Sequence, residues 1–150
     1  MGIIAEHQAN YEIALTKYYE SLSLAKEFGD PAEQAVVLNN LGSVNWKRGN
    51  YEQAVKLYTE ALTIYGKLGK RLLYADTLNN LGIVYISYGA YADAFHAFSQ
   101  SYDIAKKLDS PALKAWTLHD MAWVLKDQGN LQESKQFSFE AATACCSLCC

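Results

Sequence analysis

The chain repeats itself every 40 residues, and that period constrains its fold more than any other feature. Leu-Asn-Asn-Leu-Gly at 38–42 returns unchanged at 78–82, and Gly-Asn-Tyr at 49–51 returns as Gly-Ala-Tyr at 89–91 and Gly-Asn-Leu at 129–131. The same offset carries Gly2 onto Gly42, Gly82 and Ala122, and Ala14 onto Ala54, Ala94 and Ser134. A fixed period of this length marks a solenoid, in which one supersecondary unit stacks on copies of itself. Each unit touches only its neighbours, and the stack leaves long open surfaces. Such surfaces usually bind other proteins.

The 150 residues hold nearly four periods, enough for a stack that needs about three or more. A hydrophobic fraction of 51% supplies a continuous core, which argues against disorder. Net charge is −3 with both signs interspersed, and no basic stripe points to nucleic acid. Met1 is followed by Gly-Ile-Ile-Ala-Glu without a basic segment, so no signal peptide is expected. No apolar run approaches a membrane span, so the expectation is a cytoplasmic protein without membrane contact.

Glycine and proline punctuate the periods. Gly49, Gly89 and Gly129 mark one kind of turn; Gly29 and Gly69, matched by Asp109, mark a second. Pro31 and Pro111 each follow a capping residue, Asp30 and Ser110, the order expected at a helix start. Between these marks apolar residues recur at helical spacing, as in Tyr51, Ala54, Val55, Tyr58, Ala61, Leu62 and Tyr65. No segment shows sustained strand alternation. The pattern predicts A helices over 31–48, 71–88 and 111–128, alternating with B helices over 11–27, 51–68, 91–108 and 131–148. Gly2 already holds the mid-helix position of Gly42, so the first A helix is expected to be cut short. The expected organisation is one domain over 1–150, with repeats at 1–30 (truncated), 31–70, 71–110 and 111–150.

The unit resembles the tetratricopeptide repeat, whose pattern includes W-x2-L-G-x2-Y followed by A-x3-F. The third unit reads Leu78-x2-Leu81-Gly82-x2-Tyr85, then Ala94-x3-Phe98; the second reads Leu38-x2-Leu41-Gly42-x2-Asn45, then Ala54-x3-Tyr58. The first keeps Gly2, Ala14 and Tyr18, and the fourth diverges, with Met121, Ala122, Leu125, Ser134 and Ser138 in those slots. The resemblance implies an all-α fold, a right-handed α-solenoid of antiparallel helix-turn-helix units. Gly42 and Gly82 are expected to let helix A approach helix B, with Ala54 and Ala94 facing them and the aromatic slot filling the gap between repeats. The period departs from the usual length of about 34 residues, and the roughly six extra residues lengthen the helices. Long-period units of this kind are similar to those of kinesin light chains, Pins-like spindle-orientation adaptors and bacterial regulatory proteins. The first two families bind extended partner peptides in the groove lined by the A helices.

The resemblance places the A helices on a concave face. The core stripe of the second A helix is Leu38, Leu41, Gly42 and Asn45, and the stripe beside it is Asn39, Ser43, Trp46 and Lys47. Its equivalents are Asn79, Ile83, Ile86 and Ser87, then His119, Trp123, Lys126 and Asp127, with Val36, Asp76 and Trp116 one turn earlier. All three tryptophans thus lie on A helices and are expected to face the groove. Trp46, Trp116 and Trp123 would anchor a partner, since aromatics dominate interface hot spots. Asn39, Asn79 and also Asn40 and Asn80 would bond an extended main chain, because an amide side chain offers donors and an acceptor together. Asparagines of the matching Asn-Asn-Leu motif do this in kinesin light chains. Asn40 could equally bridge helices, and Trp116 could equally be core. The lysine and asparagine pair that grips C-terminal carboxylates in chaperone-binding relatives is replaced by Asn39 with Ser43 and Asn79 with Ile83, which disfavours that ligand.

Chemistry is sparse. His7, His96 and His119 fall in different repeats without a second metal-type residue at i+3 or i+4, so no metal site is expected. Asp76, His119 and Asp120 could approach one another, yet no nucleophile or phosphate loop accompanies them. No enzyme activity and no cofactor are expected. All four cysteines crowd the last six residues, unlike the spread of a disulfide scaffold. Cys145 and Cys146 continue the helix B register as small core residues, and Cys149 and Cys150 are expected to be exposed and prone to oxidation; soft-metal binding or lipidation is the less favoured reading.

Three functions fit this pattern: an adaptor binding a protein or peptide in the groove, a self-assembling subunit or fragment, and a sensor of a small peptide or metabolite. The ends suggest the second. Tyr11, Leu15 and Tyr18 on the first B helix, and Phe137, Phe139 and Leu148 on the last, form apolar faces whose self-association would make a homo-oligomer.

Overall fold

The turn glycines divide the chain into helices, and the helices fall where the repeat puts them. A computed structural model describes the backbone of residues 2–146 and the side chains of residues 10–144. All regular structure among the described residues is helical: α1 (Gly2–Glu27), α2 (Pro31–Lys47), α3 (Tyr51–Lys67), α4 (Arg71–Tyr88), α5 (Tyr91–Lys107), α6 (Pro111–Asp127) and α7 (Leu131–Cys146). They form two compact units, Met1–Gly69 and Lys70–Cys150. In the first unit α2 packs on α1 and on α3; in the second α4 packs on α5, α5 on α6 and α6 on α7.

Each turn is built the same way. Gly49, Gly89 and Gly129 take φ of 80°, 80° and 82°, and Gly29 and Gly69 take 65° and 66°. That left-handed conformation stops the helix and lets the next residue bond back five positions. Asn50 N–H donates to the Asn45 carbonyl at 2.9 Å, Ala90 to Tyr85 at 2.8 Å and Asn130 to Leu125 at 2.8 Å. Asp109 replaces glycine at the third turn of the second kind and adopts φ of 48°, which its short polar side chain tolerates.

Two local expectations change. α1 is one continuous helix through the point where a turn was expected. Ala9 stands in the slot of Gly49, and its Cβ disfavours the positive φ that ends the other A helices, so the helix runs on. Asp30 caps α2 by accepting from the N–H groups of Ala32 and Glu33, both at 3.0 Å, whereas Ser110 makes no such bond at the start of α6. Pro111 still begins α6, because its fixed φ suits the first helical position.

The core stripes are those of the sequence. Leu38, Leu41, Gly42 and Asn45 are buried in α2, and Leu118, Met121, Ala122 and Leu125 in α6. The glycine contact differs from expectation. A methyl group on Gly82 would lie 2.5 Å from Cε1 of Phe98, and one on Gly42 would lie 2.9 Å from Cε1 of Tyr58. The aromatic ring therefore sits on the glycine of its own repeat, while Ala54 and Ala94 are fully buried beside it. A flat ring needs a flat floor, and only a residue without Cβ supplies one. In the second unit Phe98 also clusters with Met121 and Val124 of α6, so the ring joins two repeats as well as two helices.

Small polar residues fill the remaining close contacts by bonding across them. Ser134 takes the alanine slot on α7 and donates to the Ala122 carbonyl at 2.7 Å; Ser101 on α5 donates to Ala75 at 2.8 Å. Both are buried, so each bond offsets the cost of removing a hydroxyl from water.

Gly82→Ala is expected to lower stability by about 1–3 kcal/mol, the usual cost of overpacking, and Gly42→Ala by less, since its ring lies farther off. Leu81→Ala should cost about 2–5 kcal/mol as a buried truncation. Urea unfolding of the three variants checks both the sizes and the order.

Candidate functional site

The positions left outside the core define the site. On α6 the residues Trp116, His119, Trp123 and Lys126 follow at spacings of three, four and three, which places them on one stripe of the helix. All four are exposed, and Trp116 and Trp123 show 65% and 46% of their surface. Two open indoles on one helix are costly unless something covers them. Trp116 is thus a surface residue and not part of the core.

The equivalent stripe on α4 is Asp76, Asn79, Ile83 and Ile86, all half-buried. Ile83 and Ile86 rest against the cluster of Phe98, Met121 and Val124, so each serves the core with one side. Within this unit α4 touches α6 directly.

Polar groups concentrate where α4 meets α6. Asn79 Nδ2 donates to Asp120 Oδ2 at 3.0 Å. Its Oδ1 is shielded from solvent and has no hydrogen-bond partner. An unpaired buried acceptor costs about 1–3 kcal/mol, so this amide is poised to gain from an incoming N–H if it turns outward. Burial pushes the Asp120 carboxyl above its ordinary range, with the Asn79 bond and nearby His119 working in the opposite direction. Burial raises Asp76 in the same way. Asp120 is thus tied to the Asn79 amide and feels the His119 charge. Among the described residues no group of histidine, cysteine and carboxylate side chains could hold a metal ion.

In the first unit Asn39, Ser43 and Trp46 are half-buried on α2 and Lys47 is exposed. Ser43 is engaged within the fold: its Oγ lies 3.3 Å from the Asn39 carbonyl and 2.8 Å from the Tyr58 hydroxyl. Burial raises the Tyr58 phenol, and the Ser43 bond partly counters it. Ser43 therefore braces the aromatic slot of this unit in addition to lining the stripe.

The residues expected at self-associating ends are placed unevenly. Leu15 is buried on α1, and Tyr11 and Tyr18 are half-buried. Phe137 packs against the cluster of Phe98, Met121 and Val124, whereas Phe139 is 71% exposed. Leu148, the side chains of Cys145 and Cys146, Cys149, Cys150 and the His7 side chain lie outside the described residues.

Two features of the site were not expected from the sequence. Asp120 bonds an asparagine 41 positions earlier, one period plus one, and that offset was the available signal. Ala142 lines an open cleft on α7 beside Ala141, where a small residue gave no signal at all.

The tetratricopeptide repeat model matches residues 1–67, 33–107 and 73–145, so the chain belongs to the tetratricopeptide repeat family. This is a helical-repeat fold that serves as a protein–protein interaction module. Among solved structures the chain is similar to BtubC (BKLC) from P. vanneervenii, with a TM-score of 0.85 and 23% identity over 93% of this chain and 58% of that one. It is also similar to the apo form of RapI, with a TM-score of 0.68 and 22% identity over 93% of this chain and 65% of that one. MamA gives a TM-score of 0.63 and 18% identity over 95% of this chain and 82% of its own length. The first two matches extend well beyond the length covered here, and all three likenesses concern the fold. No curated protein matches the chain. No helix among the described residues is long and apolar enough to cross a membrane.

The raised carboxyls have a measurable consequence. Between its ordinary value and its raised value in the fold, Asp120 binds more protons folded than unfolded, so its contribution to stability is present at low pH and falls as pH rises through that window. Asp120→Asn is expected to remove this share of the decline. Urea midpoints from about pH 4 to about pH 7 should then fall less steeply for the variant than for the parent.

Proposed function

We propose that the chain binds an extended segment of a partner protein on the outer stripes of its A helices. In the second unit Asp76, Asn79, Ile83 and Ile86 of α4, with Trp116, His119, Trp123 and Lys126 of α6, form that surface. In the first unit Asn39, Ser43, Trp46 and Lys47 of α2 offer the same mixture of amide, indole and cation. The observation that carries the reading is the pair of open indoles, Trp116 and Trp123, on a helix whose other faces are buried. Indole side chains dominate binding hot spots because they bury a large apolar area while keeping an N–H donor. Asn79, tied to Asp120 of α6, adds an acceptor without a partner. The surface offers apolar anchors together with groups that can hydrogen-bond a main chain, which supports binding.

A peptide selected from a random library on the whole chain tests this. Trp123→Ala should weaken the selected peptide by about tenfold or more, as expected for a hot-spot indole, and Asn79→Ala should weaken it further. Fluorescence anisotropy with the labelled peptide measures both. Unchanged affinity in both variants, with unchanged melting curves, would place binding elsewhere.

A further inference from the structure

The contact between α4 and α6 brings acceptors together without a cation. Asn79 Nδ2 on α4 donates to Asp120 Oδ2 on α6 at 3.0 Å. Asn79 Oδ1 is left shielded from solvent and without a partner among the described residues. The second carboxylate oxygen of Asp120 accepts from no group among the described residues. Asp76 stands three positions before Asn79, one turn away on the same face of α4. The ion pairs among the described residues are Arg48 with Glu12 and Lys114 with Asp109, so neither of these carboxylates has one. His119 adjoins Asp120 but is exposed, and its charge weighs less on that carboxyl than burial does. Burial without a cation is also what lifts Asp76.

This opening belongs to the interior of the stack. Asn79 and Asp120 face each other across two neighbouring A helices, and both of those helices are in place. A further repeat would pack on α6 and α7, as α6 packs on α4 and α5, and would leave the contact between α4 and α6 as it stands. Asp76, Asn79 and Asp120 nevertheless keep part of their surface open.

We propose that Asp120, Asn79 and Asp76 are the seat for a basic side chain of the bound segment, arginine before lysine. This rests on the reading of the A-helix stripes as the binding surface, and it names the residue that the stripe selects. The seat presents two carboxylates and an amide oxygen, all of them acceptors. A guanidinium or an ammonium carries donors and no acceptor. Set against Asp120, it takes over the bond that Asn79 now supplies. Asn79 is then released, and its amide oxygen turns to accept a second N–H. A neutral amide would reach Asp120 too, but it would add an acceptor of its own and leave both charges uncompensated. Arginine fits better than lysine because its planar fork bonds the carboxylate and the amide oxygen at once.

The probes are peptides selected from a random library on the whole chain and labelled for fluorescence anisotropy. Those selected on the parent should share an arginine or lysine at one fixed position. Citrulline at that position keeps the shape of arginine without its charge. It should weaken binding by about tenfold or more on the parent and by less than about twofold on Asp120→Asn. Asp76→Asn should also shrink the citrulline effect. The Asp76 side chain makes no bond among the described residues, so this variant keeps the test open if Asp120→Asn fails to fold. Asp103→Asn, at an exposed position on α5, should leave the citrulline effect unchanged. Thermal melts establish that each variant is folded. Selected peptides without a shared basic residue overturn the proposal. So does a citrulline effect of equal size on the parent, Asp76→Asn and Asp120→Asn, which would put the cation elsewhere. If binding still falls on Trp123→Ala in those cases, the seat is wrong and the groove reading stands. If the citrulline effect vanishes on Asp120→Asn while Trp123→Ala binds as the parent does, the seat stands and the indole anchor falls.

Discussion

The aromatic ring seated on a glycine is the contact on which the helix pairs depend. Phe98 on Gly82, and Tyr58 on Gly42, bring helix B against helix A at a distance that no residue with a Cβ would allow. The cost is a glycine inside a helix, roughly 1 kcal/mol relative to alanine. The gain is a large ring with no exposed surface, and in the second unit the same ring reaches Met121 and Val124 of the following repeat. One interaction thus sets both the spacing within a repeat and the attachment of the next.

The fourth repeat lacks that contact. Ala122 stands for the glycine and Ser138 for the ring, and Ser138 turns its hydroxyl to the Ser134 carbonyl of its own helix at 2.8 Å. α6 and α7 are then held by Ser134 on the Ala122 carbonyl and by the apolar stripe of α6. An open cleft lies beside Ser138, Ala141 and Ala142. The exposed indoles arise from the same displacement by one period: Asp76 on α4 is half-buried, and its equivalent on α6 is the open Trp116.

Much of this was legible because the repeat supplied several readings of one pattern. The starts of α2 to α7 fall at the expected residues, since Pro31, Pro111 and the turn glycines act through backbone geometry that depends on local chemistry alone. The core stripes were legible for the same reason. Where a position departed from the repeat, the reading weakened. Ala9 has no glycine to end the helix, and α1 runs through it. Ser110 looks like a cap, but whether a hydroxyl bonds the first turn is decided by its rotamer. Ala54 and Ala94 looked like the partners of the glycines, because spacing shows that residues share a contact and cannot show which of them touch. The exposure of Trp116 could not be read either, since it depends on what packs next to α6.

In the proposed division of labour the outer stripe of the A helices is the working surface and the B helices are its support. Site-specific photo-crosslinking tests it most directly. A photoreactive phenylalanine derivative placed at Trp123 on α6 should capture the library-selected peptide. The same group at Gln100, an exposed position on α5, should not. Capture from position 100 with none from position 123 would contradict the proposal, because it would put the partner on the face that the fold assigns to support.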